Sequence, residues 1–254
     1  MLKSFKNLLK IFLKKILFNL NLILLKKNLR GNIGNLQTNS LVEKSLCKTS
    51  FAQQGEDLIL ERIIQNTLGW DLNERRFYVD IGAYHPIFNS VTYTLYKRNW
   101  RGIVFDPYKQ SKTLFEKYRP EDIFINNVVG KTDNSEINFF FSKKRDFSME
   151  SSKYPQKRKK YEVQIIKQVN LANELERNSI TNFDVINIDV EGAEYEILTT
   201  IDFNKYKPSV VIVEIKCGNV NEALSSDIAK LLFNEGYELN AVAVLSYFFV
   251  RKIK

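Results

Sequence analysis

Cysteine is nearly absent: Cys47 and Cys217 are the only two in 254 residues, far apart and in no metal-ligand spacing. That excludes a disulfide framework and a cysteine-based zinc site, and it fits a reducing compartment. Proline and glycine are scarce, at 5 and 10, which excludes collagen-like and low-complexity chains. Long apolar runs are missing from the N-terminal segment, where the longest charge-free stretch, Ile16–Leu25, is ten residues and contains Asn19 and Asn21. A spanning helix needs about twenty apolar residues, so a transmembrane segment is not expected there. What the chain does have is 44% apolar and 13% aromatic residues, enough for one sizeable core of α/β dimensions.

The net charge of +9 is unevenly spread. Residues 1–30 hold eight Lys and Arg and no acid, and residues 143–160 hold eight basic residues against Asp146 and Glu150, so the remaining 206 residues carry −5. The basic character belongs to two segments, not to the body, and no nucleic-acid partner is expected. In residues 2–24, apolar side chains recur at helical spacing (Phe5, Leu8, Leu9, Phe12, Ile16) opposite Lys3, Lys6, Lys10 and Lys14. Residues 1–30 therefore read as a basic amphipathic helix, either lying in a membrane interface or packing on protein. No small-x-small cleavage site follows in Lys26–Gly34, which speaks against a signal peptide. The implied location is cytoplasmic, with peripheral contact to the inner membrane face as one use of the helix. Residues 31–49, rich in Asn, Thr and Ser, read as a linker, and residues 50–254 as one domain carrying a basic insertion at 143–160. That insertion reads as a loop that folds over the site, binds an anionic acceptor or is simply solvated.

From residue 50 onward short apolar runs alternate with helical stretches. Strands are expected at Phe77–Ile81, Gly102–Phe105, Ile123–Val129, Glu136–Phe141, Tyr161–Val169, Asp184–Val190 and Ser209–Ile215. Helices are expected over 58–64, 90–99, 109–118, 171–177, 193–201 and 221–234. Tyr237–Leu239 and Leu245–Val250 would close the sheet as an antiparallel pair. Strands separated by helices of this length imply a Rossmann-like, doubly wound, mostly parallel sheet with an antiparallel C-terminal strand. Ligands bind such sheets beyond the carboxyl ends of the strands, so the residues just after each run are the ones to inspect.

Three of those ends carry acids: Asp80-Ile81-Gly82-Ala83, Asp106-Pro107, and Asp189-Val190-Glu191-Gly192. A glycine after the first strand lets a ligand approach the backbone, and an acid after the second can accept ribose hydroxyls. The Gly-x-Gly-x-x-Gly pattern of a dinucleotide site is missing, because Gly82 is followed by Ala83-Tyr84-His85-Pro86. No Gly-x-x-x-x-Gly-Lys-Ser/Thr phosphate loop occurs either. A nucleoside cofactor without phosphates fits these ends, and S-adenosylmethionine is the candidate. An NAD-dependent or nucleotide-sugar oxidoreductase and a non-catalytic binding module are the alternatives.

Six blocks of the sequence carry a resemblance: Phe51-Ala-Gln-Gln-Gly-Glu-Asp-Leu58, Tyr78-Val-Asp-Ile-Gly-Ala-Tyr-His-Pro86, Asn89-Ser-Val-Thr92, Asn99-Trp-Arg-Gly-Ile103 with Asp106-Pro107, Arg119-Pro120, and Ile188-Asp-Val-Glu-Gly192. In this order, from about residue 50 to the C-terminus, they resemble the FkbM family of S-adenosylmethionine-dependent methyltransferases. The resemblance implies a class I methyltransferase fold and O-methylation of a sugar in a polysaccharide, glycolipid or glycosylated metabolite. It makes Asp80, Gly82 and Ala83 the cofactor turn and Asp106, beside Pro107, the ribose acid. It sets Asn126 or Asn127 near the adenine, and Asp189 is expected at the cofactor as well.

Methyl transfer to a sugar hydroxyl is helped by a base. His85 is one candidate, because histidine exchanges protons near neutral pH; its other reading is a cap of the turn before Pro86. Asp189 and Glu191 compete for the role, or hold a divalent metal with only two oxygen ligands. Gln54, Glu56 and Asp57 read equally as helix capping or as ligand contacts. Trp100, Tyr84 and Tyr93 are candidates to stack on a sugar ring or to fill core.

Overall fold

The computed structural model describes residues 47–142 and 161–252. The expected amphipathic helix at 1–30, most of the linker at 31–49 and the basic insertion at 143–160 lie outside the described residues. Ser50–Lys254 forms one compact unit.

Its frame is a seven-stranded sheet in the order β3-β2-β1-β7-β8-β10-β9. The strands are β1 (Phe77–Ile81), β2 (Arg101–Phe105), β3 (Ile123–Ile125), β7 (Val185–Ile188), β8 (Val210–Glu214), β9 (Tyr237–Ala243) and β10 (Ser246–Arg251). Strands β3, β2, β1, β7 and β8 run parallel, while β10 pairs antiparallel with both β8 and β9. The central strands are buried almost end to end, as continuous apolar runs must be when helices cover both faces of a sheet. One face buries Val79, Ile81, Ile103, Phe105, Ile186 and Ile188. The other buries Tyr78, Val104, Val185 and Ile212 against Leu60, Leu95 and Trp100. Alternate residues of each strand thus serve opposite layers.

The covering helices are α1 (Glu56–Arg62, continued by a π turn at Ile63–Thr67), α2 (Tyr93–Lys97), α3 (Lys109–Tyr118), α4 (Leu171–Arg177), α5 (Glu194–Leu198), α6 (Val220–Leu224) and α7 (Asp227–Asn234). The order of strands reverses between β1 and β7, so the chain leaves these neighbours in opposite directions and opens a crevice at their carboxyl ends. A second sheet, β4 (Val128–Val129), β6 (Tyr161–Val169) and β5 (Ser135–Ser142) in the order β4-β6-β5, stands beside it.

Two expected elements are divided. The run Ile123–Val129 breaks at Asn126 and Asn127 into strands of different sheets, because the Asn126 side-chain amide donates to the carbonyls of Asp106 (2.8 Å) and Tyr108 (3.1 Å) and ties the chain to the next loop. The helix expected over 221–234 is two helices, since Asn219 caps α6 and Ser226 caps α7 by accepting from Ala229 N–H.

Candidate active site

The crevice at the β1/β7 switch point is a cleft of about 280 Å³, close to the lower end of small-molecule sites. Its floor is the turn after β1. Gly82 has φ +84°, and a Cβ added there would meet the Asp189 carbonyl oxygen at 1.8 Å. Only glycine lets the turn after β1 press on the turn after β7 this closely. The turn itself is fastened to β2, because the Gly82 and Ala83 N–H groups both donate to the Phe105 carbonyl (3.0 and 3.2 Å).

On one side of this floor stands Asp106, at the end of β2. Its Oδ2 accepts from Tyr84 N–H, and its Oδ1 accepts from Tyr108 N–H, each at 2.9 Å, with Ser111 Oγ at 2.8 Å. Three of about four lone-pair sites are filled in this way, leaving room for a ligand hydroxyl. Burial holds its pKa up at about 6 against those three donors. Pro107, Tyr108, Val128, Val129 and Phe139 complete this half of the cleft with apolar and aromatic surface. Phe139 belongs to β5, so the small sheet supplies this wall, and Tyr108 packs edge-on to Phe141 at 4.8 Å.

On the other side lie Gln53, Gln54, Glu56, Asp189, Glu191, Glu214, Lys216 and Ser246. Asp189, Glu191 and Glu214 bring one oxygen each within 4.8 Å of one another. Glu191 has φ +61°, a conformation that non-glycine residues adopt at a cost and that tends to mark functional loops. Lys216 is ion-paired with Glu191 and stands 3.2 Å from Glu214 Oε2. Crowding by protein, then the charge of Glu191, raises Glu214 to about 7. Asp189 is pushed well above the ordinary carboxylate range by the protein packed around it and then by Glu214, Glu191 and Glu194. Its side chain still opens on the cleft, so the neighbouring charges are the cause that survives solvation.

The structure sorts the expected residues. Gly82, Asp106, Pro107, Asn127, Asp189 and Glu191 all line the cleft. Asp80 and Ala83 do not, and lie buried beside it. Asp80 is 1% exposed and accepts from Thr92 Oγ1 (2.5 Å) and Asn187 Nδ2 (2.9 Å), while Ala83 packs in the core. Trp100 is wholly buried, with its indole N–H donated to the Leu72 carbonyl, so it is core and not a sugar platform. Asp57 is a tie between segments, accepting from Ser50, Phe51, Leu58 and Thr94. Glu56 instead reaches the cleft.

His85 is a turn cap. Its Nδ1 accepts from Ile87 N–H (3.1 Å) and Phe88 N–H (2.9 Å), and burial lowers its pKa to about 4. The lone pair that would take a substrate proton is already engaged, and the ring is not among the groups lining the cleft. Asparagine can cap such a turn but cannot act as a base. His85→Asn is therefore expected to keep kcat within about threefold of wild type; a loss of hundredfold with the fold intact would restore the base role.

A metal does not suit the three acids. Lys216 stands among them, paired with Glu191 and Glu214, and supplies the positive charge that a cation would bring. Glu214 itself was not singled out by the sequence, although a signal was present: it is the last residue of an apolar strand, one position short of where Asp106 and Asp189 follow theirs.

The donor set fits S-adenosylmethionine. A carboxylate for the ribose and an apolar wall lie on one side of a glycine turn, and Lys216 is the one cation among the described residues of the lining, which leaves no cradle for a pyrophosphate. The sequence profile of the methyltransferase FkbM domain matches residues 80–239, more than half of the chain. The chain belongs to the FkbM methyltransferase family. It is an S-adenosylmethionine-dependent methyltransferase, and the oxidoreductase alternative falls. Solved structures similar to this methyltransferase include three from distant sources. A precorrin-6y C5,15-methyltransferase from Geobacter metallireducens has 12% identity and a TM-score of 0.42, over 78% of this chain and 86% of that one. A protein described as a ribosomal RNA methyltransferase, from Plasmodium falciparum, has 13% identity and a TM-score of 0.39, over 78% and 96%. The N-terminal domain of human METTL16 in complex with S-adenosylhomocysteine has 14% identity and a TM-score of 0.39, over 80% and 71%. No curated protein matches the methyltransferase.

Proposed function

We propose that this methyltransferase methylates a hydroxyl group of a saccharide, in a polysaccharide, glycolipid or glycosylated metabolite. The observation that carries the reading is the chemistry of the cleft's far half, where Glu56, Asp189, Glu191 and Glu214 face one cation, Lys216. Carboxylates accept hydrogen bonds from hydroxyls, and a polyol offers a donor on nearly every ring carbon. A phosphate or carboxylate acceptor would be repelled by the same surface. Membrane contact through residues 1–30, for a glycolipid acceptor, stays part of this proposal; among the described residues no helix is long and apolar enough to cross a membrane.

S-adenosylmethionine supplies an electrophilic methyl group when bound. Asp106, Gly82 and the wall of Val128 and Phe139 would hold it, with Asn127 at the same edge. Most of the acceleration comes from fixing the acceptor hydroxyl in line, which falls to the carboxylates opposite. Asp189 and Glu214 form a pair of like charges that shares protons as a unit. Glu214, which titrates at about 7, is in part ionised at neutral pH and so able to receive the hydroxyl proton. Lys216 keeps the cluster from being uncompensated.

The test is transfer of a labelled methyl group to a panel of neutral saccharides between pH 6 and 9. The rate is expected to climb as pH rises through about 7, where Glu214 loses its proton, and then to level. Glu214→Gln should remove that rise and lower kcat by about 10²-fold or more. Transfer to no saccharide, by protein that binds S-adenosylhomocysteine, would sink the reading; an unchanged pH profile in the variant would sink the role of Glu214.

A further inference from the structure

The cleft does not end at its acidic wall. A second, shallow groove of about 360 Å³ runs outward between α5 and the start of α7, and it shares Glu214 and Lys216 with the cleft. The two cavities are therefore neighbours, on either side of the same two side chains. The groove is walled by Tyr195 and Ile228, with Asp227 at its rim. Tyr195 is 46% exposed, although its neighbours on α5, Glu194, Ile197 and Leu198, are buried. A single exposed aromatic is ordinary. This one stands in a concave surface next to the catalytic cleft, which is not.

We propose that this groove is a second acceptor subsite, holding the sugar unit joined glycosidically to the one that is methylated. The inference rests on the saccharide reading above and narrows it: the acceptor is an oligosaccharide or glycan chain, not a free monosaccharide. A pyranose has an apolar C–H face and an edge of hydroxyls. The Tyr195 ring and Ile228 offer surface for the face, and the ring contributes its preference for positively polarised edges. Asp227 and Lys216 offer an acceptor and a donor for the hydroxyls. The groove is shallow and open to solvent, and a ring-sized group can lie in it. Sharing Glu214 and Lys216 means that two joined rings need span only the thickness of that wall.

The experiment compares methyl β-glycosides of glucose, galactose, mannose, rhamnose and fucose with the matching disaccharides, using full-length protein. Wild type is expected to favour the better disaccharide by about tenfold in kcat/KM. Tyr195→Ala should bring the ratio close to one through KM, with kcat on the monosaccharide and affinity for S-adenosylhomocysteine unchanged. Tyr195→Phe should keep the preference, because stacking needs the ring and not the hydroxyl. Removing an exposed side chain leaves the fold in place, which a thermal melt verifies. A ratio close to one in wild type, or one unmoved in Tyr195→Ala, overturns the subsite and leaves saccharide methylation standing. Transfer to no saccharide, with S-adenosylhomocysteine still bound, overturns both.

Discussion

Asp106→Ala is expected to weaken S-adenosylhomocysteine binding by about 10²-fold or more, measured calorimetrically at pH 7.5. A hydrogen bond to a charged group contributes about 1.5–3 kcal/mol, and leaving its partner unmade costs more. The substitution also releases Tyr84 N–H, Tyr108 N–H and Ser111 Oγ, the groups that hold the turn after β1 against the start of α3. Affinity in wild type should follow the same carboxyl. With Asp106 titrating at about 6, binding is full above that pH and declines as protonation removes the acceptor, approaching tenfold per pH unit. The effect on folding has the opposite sense. The folded pKa lies above the unfolded value of about 3.9, so the contribution of this group to stability is greatest below pH 4 and is lost as pH rises through 6. The cofactor-free protein thus bears the cost of an ionised, buried acid at neutral pH, and ligand hydroxyls offset it. Affinity that is flat from pH 5 to 8, or retained in Asp106→Ala, would remove the ribose role.

The second large effect lies beneath the cleft. Arg119 is fully buried and reaches Asp122 Oδ2 (2.6 Å), the Tyr78 hydroxyl (2.8 Å), Thr92 Oγ1 (3.0 Å) and Ser90 Oγ (3.2 Å). Asp122 is equally buried and also accepts from Gly102 N–H at 2.9 Å. One guanidinium therefore pins the chain after α3 to β1 and to the 86–92 loop, whose Thr92 in turn holds Asp80. Arg119→Met leaves Asp122 as an uncompensated buried charge, and breaking such a pair costs about 3–5 kcal/mol. For a domain of this size the melting temperature should fall by about 10 °C. Arg119→Lys is expected to recover only part, since an ammonium cannot serve four partners in the fork geometry. A loss under about 1 kcal/mol in urea denaturation of Arg119→Met would show the network to be ornamental.

These residues also show what the sequence discloses and what it withholds. Asp106, Gly82 and Asp189 were readable because a parallel sheet delivers the residue after each apolar run to one crevice, so local pattern and tertiary position coincide. Glu214 escaped because it is the last residue of β8, not the one after it, and Ile215 prolongs the apolar run and hides where the strand ends. Asp80 lies inside β1, buried in the core, and its partners Thr92 and Asn187 are long-range contacts that no spacing discloses. His85 was legible as a residue near the site, yet its role depends on two backbone N–H groups that no spacing encodes. Arg119 was visible only as part of the Arg119-Pro120 block and Asp122 not at all, because a buried ion pair with long-range partners leaves no periodic trace. Tyr195 lies on a short helix whose exposed face is defined by the groove beside it, not by its own sequence.

The contact at Gly82 has a mechanical consequence. With the Asp189 carbonyl placed where a methyl group would otherwise be, the turn that follows β1 and the turn that follows β7 have no slack between them. Neither can shift without carrying the other, so the base of the cleft behaves as one stiff plate and the distance from cofactor side to acid side is set at folding. Adjustment to acceptors of different outline is left to the rim, where Gln53, Gln54, Leu245 and Ser246 come from segments outside the parallel strands. Divergence of acceptor preference within such a scaffold would then be written at the rim, while the plate stays the same.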